Sequence, residues 1–419
     1  MKSIVKINHL CCYFMLLWAF LPIIGVFQSS LLFQVPFLIS LFLWIGTGFS
    51  LLKTETRNKC ILYYLPFLFI VYLYIIIGYG NLNIPTSFNY ILLFAIVINS
   101  ILYIEKPNKT FDNKLMLLSL VLIAITGVTT FNELLTNPYA SRTLTSSSSD
   151  EAVVQLLKLH NVGSFSFIYG LVITLPTFYF LLQSVKNKIY KILLIGLILL
   201  SVVCVLISSF TTALILLYLD ILFIIILRAN IHHRGTFLAI MLVGFVITPI
   251  ALTYFLDVFL NYSDSSIYTQ SKLEGIIGVL SSGEMDSDLT PRTVLLSKSI
   301  DSFFTSPLFG VGAYYGTSVA TPIGQHSQIV DEFGRYGLFG AIPFLLFAGY
   351  GLNYIFKVIR TKFIFNNQAA APVSVYVFLA ILNPVLGPGL LCSIYIVVPL
   401  LIRISNREHE NIIYNRRKA

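Results

Sequence analysis

FTTALILLYLDILFIIILR, residues 210–228, decides the class of this chain. One acid, Asp220, interrupts an otherwise apolar run that closes on an arginine. A helix needs about 20 such residues to cross the hydrocarbon core of a bilayer. Comparable runs recur at 10–27, 31–52, 60–79, 84–104, 115–135, 162–185, 189–208, 236–260, 337–356, 372–386 and 388–402. The composition agrees: 57% of the 419 residues are hydrophobic and 11% charged, against roughly 25% charged in soluble domains. The reading is an all-α polytopic integral membrane protein of about 12 transmembrane helices, with the bilayer as a partner. The last two runs are short and split by Asn383-Pro384 and Gly387-Pro388-Gly389. A broken or re-entrant pair is expected there, which lipid tolerates only where protein or water satisfies the backbone. Met1–Lys6 imitates the start of a signal peptide, but no small-residue cleavage site follows, so a retained first helix is expected.

The bases set the orientation. Lys2, Lys6 and the connections KTETRNK, EKPNKTFDNK, KNKIYK, RANIHHR and KVIRTK, with the C-terminal tail, hold 21 of the 27 lysines and arginines. Alternate connections hold only Arg142, Lys158, Lys272, Arg292, Lys298 and Arg335. By the positive-inside rule both termini are cytoplasmic. The layout is then helices 1–5 over 1–135, an external loop at 136–161 and helices 6–9 over 162–260. A large external loop follows at 261–336, then helices 10–12 over 337–403 and a basic cytoplasmic tail at 404–419. The formal charge of +9 is a topology signal, and no nucleic-acid partner is expected. Cys11, Cys12, Cys60, Cys204 and Cys392 lie in or beside apolar runs, without metal spacing, and read as small buried side chains.

Four places invite chemistry. In the external loop at 136–161, EAVVQLLKLH can form a short amphipathic helix, with Arg142 ahead of it and His160 at its end; the plainer readings are a solvated loop arginine and a polar helix end. In the large loop, of a length unusual for a connector, Thr290-Pro291 marks a helix start. The helix RTVLLSKSIDSFF places Arg292 on one face with Leu295, Leu296, Ser299 and Phe303, while Lys298 and Asp301 point away. An arginine on a buried face calls for an anion, or else snorkels to the surface. Pro307-Leu308-Phe309-Gly310-Val311-Gly312 is a tight turn whose glycines suit close backbone approach. GQHSQIVDEFGRYGLFG, residues 324–340, is expected to be helical from Ile323 into the tenth span. There Asp331 and Arg335 can pair at i, i+4, and Gly334, Gly337 and Gly340 allow a close neighbour. His326 is the only histidine of the large loop, and imidazole suits proton transfer near neutral pH. Asp220 is a functional candidate by its place in a span, or a neutral group hydrogen-bonded between helices. The D-x-D within Glu284–Asp288 is a weak metal signal; acids in a polar loop are usually solvated.

RTVLLSKSIDSFFTSPLFGVGAYYG, GQHSQIVDEFGRYGLFGAIPF and LNPVLGPG together resemble the O-antigen polymerase and O-antigen ligase superfamily of bacterial envelope proteins. That pattern runs from an arginine-headed helix through P-L-x-G-x-G to a histidine, G-x-x-G-L-x-G and a late asparagine-proline. His326 is followed by Ser327, where the ligases often carry asparagine, which leans the resemblance toward polymerases. The resemblance implies a metal-independent glycosyltransferase of the bacterial cytoplasmic membrane, using no cofactor. Its donor and acceptor would be undecaprenyl-diphosphate-linked oligosaccharides, joined at the outer face into O-antigen, capsule or exopolysaccharide. A chain-length regulator and a flippase of the same pathway would be further partners. It casts His326 as the base on the acceptor hydroxyl and Arg292 as the diphosphate clamp, with Arg142 and Arg335 as secondary clamps. Asp331 would orient a partner or pair with Arg335. The alternatives are the ligase and, from another class, a flippase or transporter of lipid-linked glycans. A metal-dependent enzyme of the oligosaccharyltransferase kind wants an acid in the first external loop, and FQSS has none.

Overall fold

The computed structural model describes residues 2–77, 84–145, 150–208, 210–228, 289–312, 322–362 and 370–418. Among them there is helix and loop but no strand. Among the described residues, nine helices are long and apolar enough to cross a membrane, and two more, over 211–224 and 370–382, are apolar but shorter. The chain is therefore a multi-pass membrane protein. The expected span at 236–260 lies outside the described residues.

The helices are α1 (Lys2–Phe20), α2 (Leu31–Leu51), α3 (Thr54–Ile76), α4 (Ile84–Glu105) and α5 (Lys109–Thr136). Then come α6 (Glu151–Leu159), α7 (Phe165–Ser184), α8 (Lys188–Ile207) and α9 (Thr211–Arg228), followed by α10 (Leu289–Thr305), α11 (Gln328–Lys362) and α12 (Ala370–Leu382). The last, α13, begins at Pro388 and runs through a π turn at Ser393–Val397 to Lys418. Asn108, Asp150 and Asn187 cap α5, α6 and α8 by accepting from the backbone amides of Phe111, Ala152 and Ile189.

Three boundaries differ from the sequence expectation. The first span was placed at 10–27, but α1 ends at Phe20 and a 3₁₀ segment, Pro22–Ser29, follows. Pro22 holds the preceding Leu21 extended. The twelfth span is not short: α13 stays helical far past residue 402. Helix α11 starts at Gln328, not Ile323, so His326 stands in the loop ahead of it.

Polar side chains inside the bundle are matched to one another. Asn8 of α1 donates to Asn99 of α4 at 2.7 Å and accepts from the Tyr103 hydroxyl at 2.9 Å. Tyr103 in turn accepts from the Trp44 indole of α2 at 2.9 Å. Removing any member would strand a buried partner. The same logic marks one end of the bundle. Glu105 accepts from Thr56 of α3 at 2.6 Å and from Tyr354 of α11 at 2.8 Å. Arg403 of α13 reaches the Tyr103 carbonyl and Asp112 of α5, and Ser405 meets Ser184 of α7 at 2.6 Å. Among the described residues, the basic connections after α2, α4 and α7 and the start of the C-terminal tail thus gather at this one end. Counting 1.5 Å per residue, Tyr90 of α4 and Gly337 of α11 lie roughly 22–25 Å from it, near the opposite end.

Candidate functional site

Helix α11 is broken at Gly337, whose φ of 58° and ψ of −163° place it in a region that glycine alone enters readily. A break removes the bonds that Leu338 N and Phe339 N would give to Gly334 O and Arg335 O. All four groups are taken up by the segment 307–312. Leu338 N donates to Pro307 O (2.8 Å) and Phe339 N to Leu308 O (3.1 Å). Val311 N donates to Gly334 O (3.0 Å) and Gly312 N to Arg335 O (2.9 Å). The Tyr74 hydroxyl of α3 donates to Phe309 O, pinning the turn from outside. This is how backbone near a membrane edge stays satisfied without a helix. It is also what the glycines are for: a Cβ at Gly337 would stand 2.4 Å from Leu308 C, and one at Gly310 2.4 Å from Arg335 C.

A second contact joins α10 to the loop before α11. The buried Ser299 hydroxyl donates to Asp331 Oδ1 at 2.6 Å and accepts from Gly324 N at 2.8 Å. Asp331 Oδ2 accepts from Ser327 N at 3.2 Å. Ser327 also caps α11, its hydroxyl accepting from Val330 N at 3.2 Å. Residues 324 and 327 are therefore both fixed, and Gln325-His326 is a two-residue excursion between them. Gln325 takes φ of 61°, a conformation uncommon for a residue with a side chain. His326 is half-buried on this excursion.

Below it lies a polar cluster that the sequence reading did not single out. Glu332 is fully buried and accepts from the Tyr90 hydroxyl of α4 at 2.8 Å and from Gln328 Nε2 at 2.6 Å. Arg335, 1% exposed, gives Nη1 to Tyr90 at 3.1 Å and to Glu332 at 3.4 Å. Gln328 is also the bridge to the break between α12 and α13. Its backbone N donates to Asn383 O at 3.3 Å, and its Oε1 accepts from Val385 N at 3.1 Å. Helix α12 has 13 residues, about 20 Å, short of the roughly 30 Å hydrocarbon core. The break at 383–387 thus needs the partners that Gln328 supplies.

The expected site residues fall as follows. His326, Asp331 and Arg335 share one fixed substructure. The ion pair of Arg335 is with Glu332, while Asp331 is engaged by Ser299 and Ser327. At this depth Arg335 meets an incoming diphosphate only if Glu332 gives it up, so the geometry suits it to holding the cluster together. Arg292 belongs to the first turn of α10, and its side chain lies outside the described residues. The packed face of that helix carries Ser299 and Ser302, whereas Leu296 is exposed, contrary to its expected place on the buried face. Arg142 is exposed on a single turn, Ala140–Thr143, and no described hydrogen bond links its side chain to the cluster. His160 stands 3.1 Å from Glu133 of α5. Asp220 is fully buried on α9, away from these contacts, and among the described residues neither carboxylate oxygen has a hydrogen-bond partner. Among the described residues no group of three or more His, Cys, Asp or Glu is placed to hold a metal ion, and Glu284–Asp288 lies outside them. All five cysteines are buried thiols.

Glu332 was legible in principle. Gln328, Glu332 and Arg335 follow the i, i+4, i+7 spacing of one helix face. No family model matches the chain, and no curated protein matches it either.

Proposed function

We propose that this chain is a polysaccharide polymerase of the bacterial cytoplasmic membrane, with twelve spans and both termini inside. It would join undecaprenyl-diphosphate-linked repeat units at the outer face, without a metal. One observation carries the reading. The three stretches on which the family resemblance rests, at 292–316, 324–344 and 382–389, meet where described through hydrogen bonds at one end of the bundle, opposite the basic end. His326 stands on the Gln325-His326 excursion beside the contact of α10 with the loop before α11.

In the reaction, His326 takes the proton of the acceptor sugar hydroxyl, and that oxygen attacks the anomeric carbon of the donor glycan. The bond from this carbon to the diphosphate oxygen breaks, and the polyprenyl diphosphate leaves. Charge develops on the leaving diphosphate, which favours guanidinium partners able to bind two oxygens. Arg292 and Arg142 take this role. Arg335, Glu332 and Asp331 position the segment that carries His326.

Ser327 caps a helix, a task asparagine performs equally well, so this position says little about polymerase against ligase. A second reading has its own support. The buried Asp220 and the buried Glu332–Arg335 pair are the kind of intramembrane charge that a flippase of lipid-linked glycans uses. Deleting the gene separates the three. Single repeat units on a normal anchor support the polymerase, and long unattached chains indicate the ligase. Loss of all surface glycan, with lipid-linked units retained inside, indicates the flippase. Unchanged glycan overturns all three.

A further inference from the structure

Helix α6 stands at the end of the bundle opposite the basic one, tied to α5 where that helix closes. His160, which ends α6, holds its Nδ1 3.1 Å from Glu133 Oε2, in the last turn of α5. A helix on a water-exposed surface turns its apolar side inward. Helix α6 does the reverse. It packs against the 3₁₀ segment Pro22–Ser29. Leu157 is its buried residue, and Val154, Gln155 and Lys158 are half-buried. Gln155 Oε1 is shut off from solvent, and a Cβ built at Gly25 would lie 3.7 Å from Lys158 Cδ. The exposed side carries Ala152, Leu156 and Leu159, at i, i+4 and i+7, with Val153 beside them. Leu156 and Leu159 are 51% and 50% exposed. The charges stand at the ends, Asp150 and Glu151 at the start, Lys158 and His160 at the close, so the strip between them is uncharged.

This strip continues a surface that faces lipid. Along α5, Leu117, Val121, Ile125, Val128 and Leu135 are exposed on one side of a membrane-spanning helix. From Leu117 to Leu135 is about 27 Å at 1.5 Å per residue, close to the roughly 30 Å of the hydrocarbon core. Leu135 therefore marks the level at which hydrocarbon ends on this side, and the contact of His160 with Glu133 sets α6 at that level. An apolar strip at this depth meets acyl chains with no further partner. A stable protein partner needs about 800 Å² on each side, more than four side chains offer.

We propose that α6 lies along the membrane surface, with Ala152, Val153, Leu156 and Leu159 immersed in the acyl chains of the leaflet on this side. Gln155 and Lys158 stay against the protein, and the charged ends reach the head groups. Helix α6 is then a collar that fastens the segment between α5 and α7 to the bilayer.

The test uses the full-length protein in phosphatidylcholine nanodiscs, with one nitroxide label at a time, and reads its accessibility to oxygen and to a water-soluble nickel chelate. The five native thiols are buried, and wild type treated with the label gives the background. Labels at Leu156→Cys and Leu159→Cys should be open to oxygen and shielded from nickel, matching Val128→Cys in the lipid-facing stripe of α5. Lys186→Cys, exposed in the connection after α7, supplies the water-exposed reference. Nickel access at Leu156→Cys and Leu159→Cys equal to that at Lys186→Cys overturns the proposal. Exclusion of both oxygen and nickel also overturns it, since protein would then cover the strip, and spin–spin broadening would identify that cover as a second copy. If Leu156→Cys fails to fold, Val153→Cys and Leu159→Cys decide.

Discussion

Replacing Gly337 by alanine tests whether the crossing of α11 and the 307–312 turn organises the candidate site. The backbone there has a φ of 58°, which costs a residue with a side chain about 1–3 kcal/mol. The new Cβ would also meet Leu308 C at 2.4 Å and Leu308 O at 2.5 Å. Neither atom can move without parting the two strands of backbone. Parting them removes four inter-segment hydrogen bonds, each worth about 1 kcal/mol net. A loss of about 3–5 kcal/mol at this crossing follows, while the rest of the bundle keeps its packing. Hydrogen exchange in nanodiscs reads the effect directly at the amides of Val311, Gly312, Leu338 and Phe339. Their protection should fall at least about a hundredfold, since 1.4 kcal/mol is a factor of ten. Gly349→Ala is the control: nothing stands within 4 Å of a Cβ built there, and alanine favours helix over glycine by about 1 kcal/mol. If Gly337→Ala leaves those four amides as protected as in the wild type, the crossing does not hold the site together.

Two further substitutions probe the buried charges. Glu332→Gln leaves Arg335 buried without its counter-charge and should lower stability by about 3–5 kcal/mol. The double variant Glu332→Leu with Arg335→Leu should recover much of that loss, seen as a higher thermal midpoint. If the double variant is less stable than the single, the pair is not self-contained. Asp220→Asn replaces a buried carboxyl group that has no hydrogen-bond partner among the described residues. It should leave the thermal midpoint and the glycan ladder unchanged; loss of surface glycan by a folded Asp220→Asn protein would favour the flippase.

The apolar runs were legible because lipid imposes length and apolarity on each helix separately. Where an outcome depended on a distant partner, the sequence was silent. Glu332 drew no reading on the helix expected from Ile323, because what receives it as a buried group includes Tyr90, 242 residues away. Asn8, two residues ahead of the expected first span, belongs to a core network with Asn99 and Tyr103. The glycines at 310, 334 and 337 were recognised as permitting close approach. That two of them let a turn take over the bonds of a broken helix needed the partner segment in view. His326 was displaced from helix to loop for a local reason: Ser327 caps α11 and stops it from extending backward.

The central claim is that His326 is the base on the acceptor hydroxyl. It is tested most directly by complementing the deletion strain with His326→Ala protein, expressed at the wild-type level, and separating the surface glycan by chain length. The account predicts single repeat units and no ladder. A full-length ladder would contradict it.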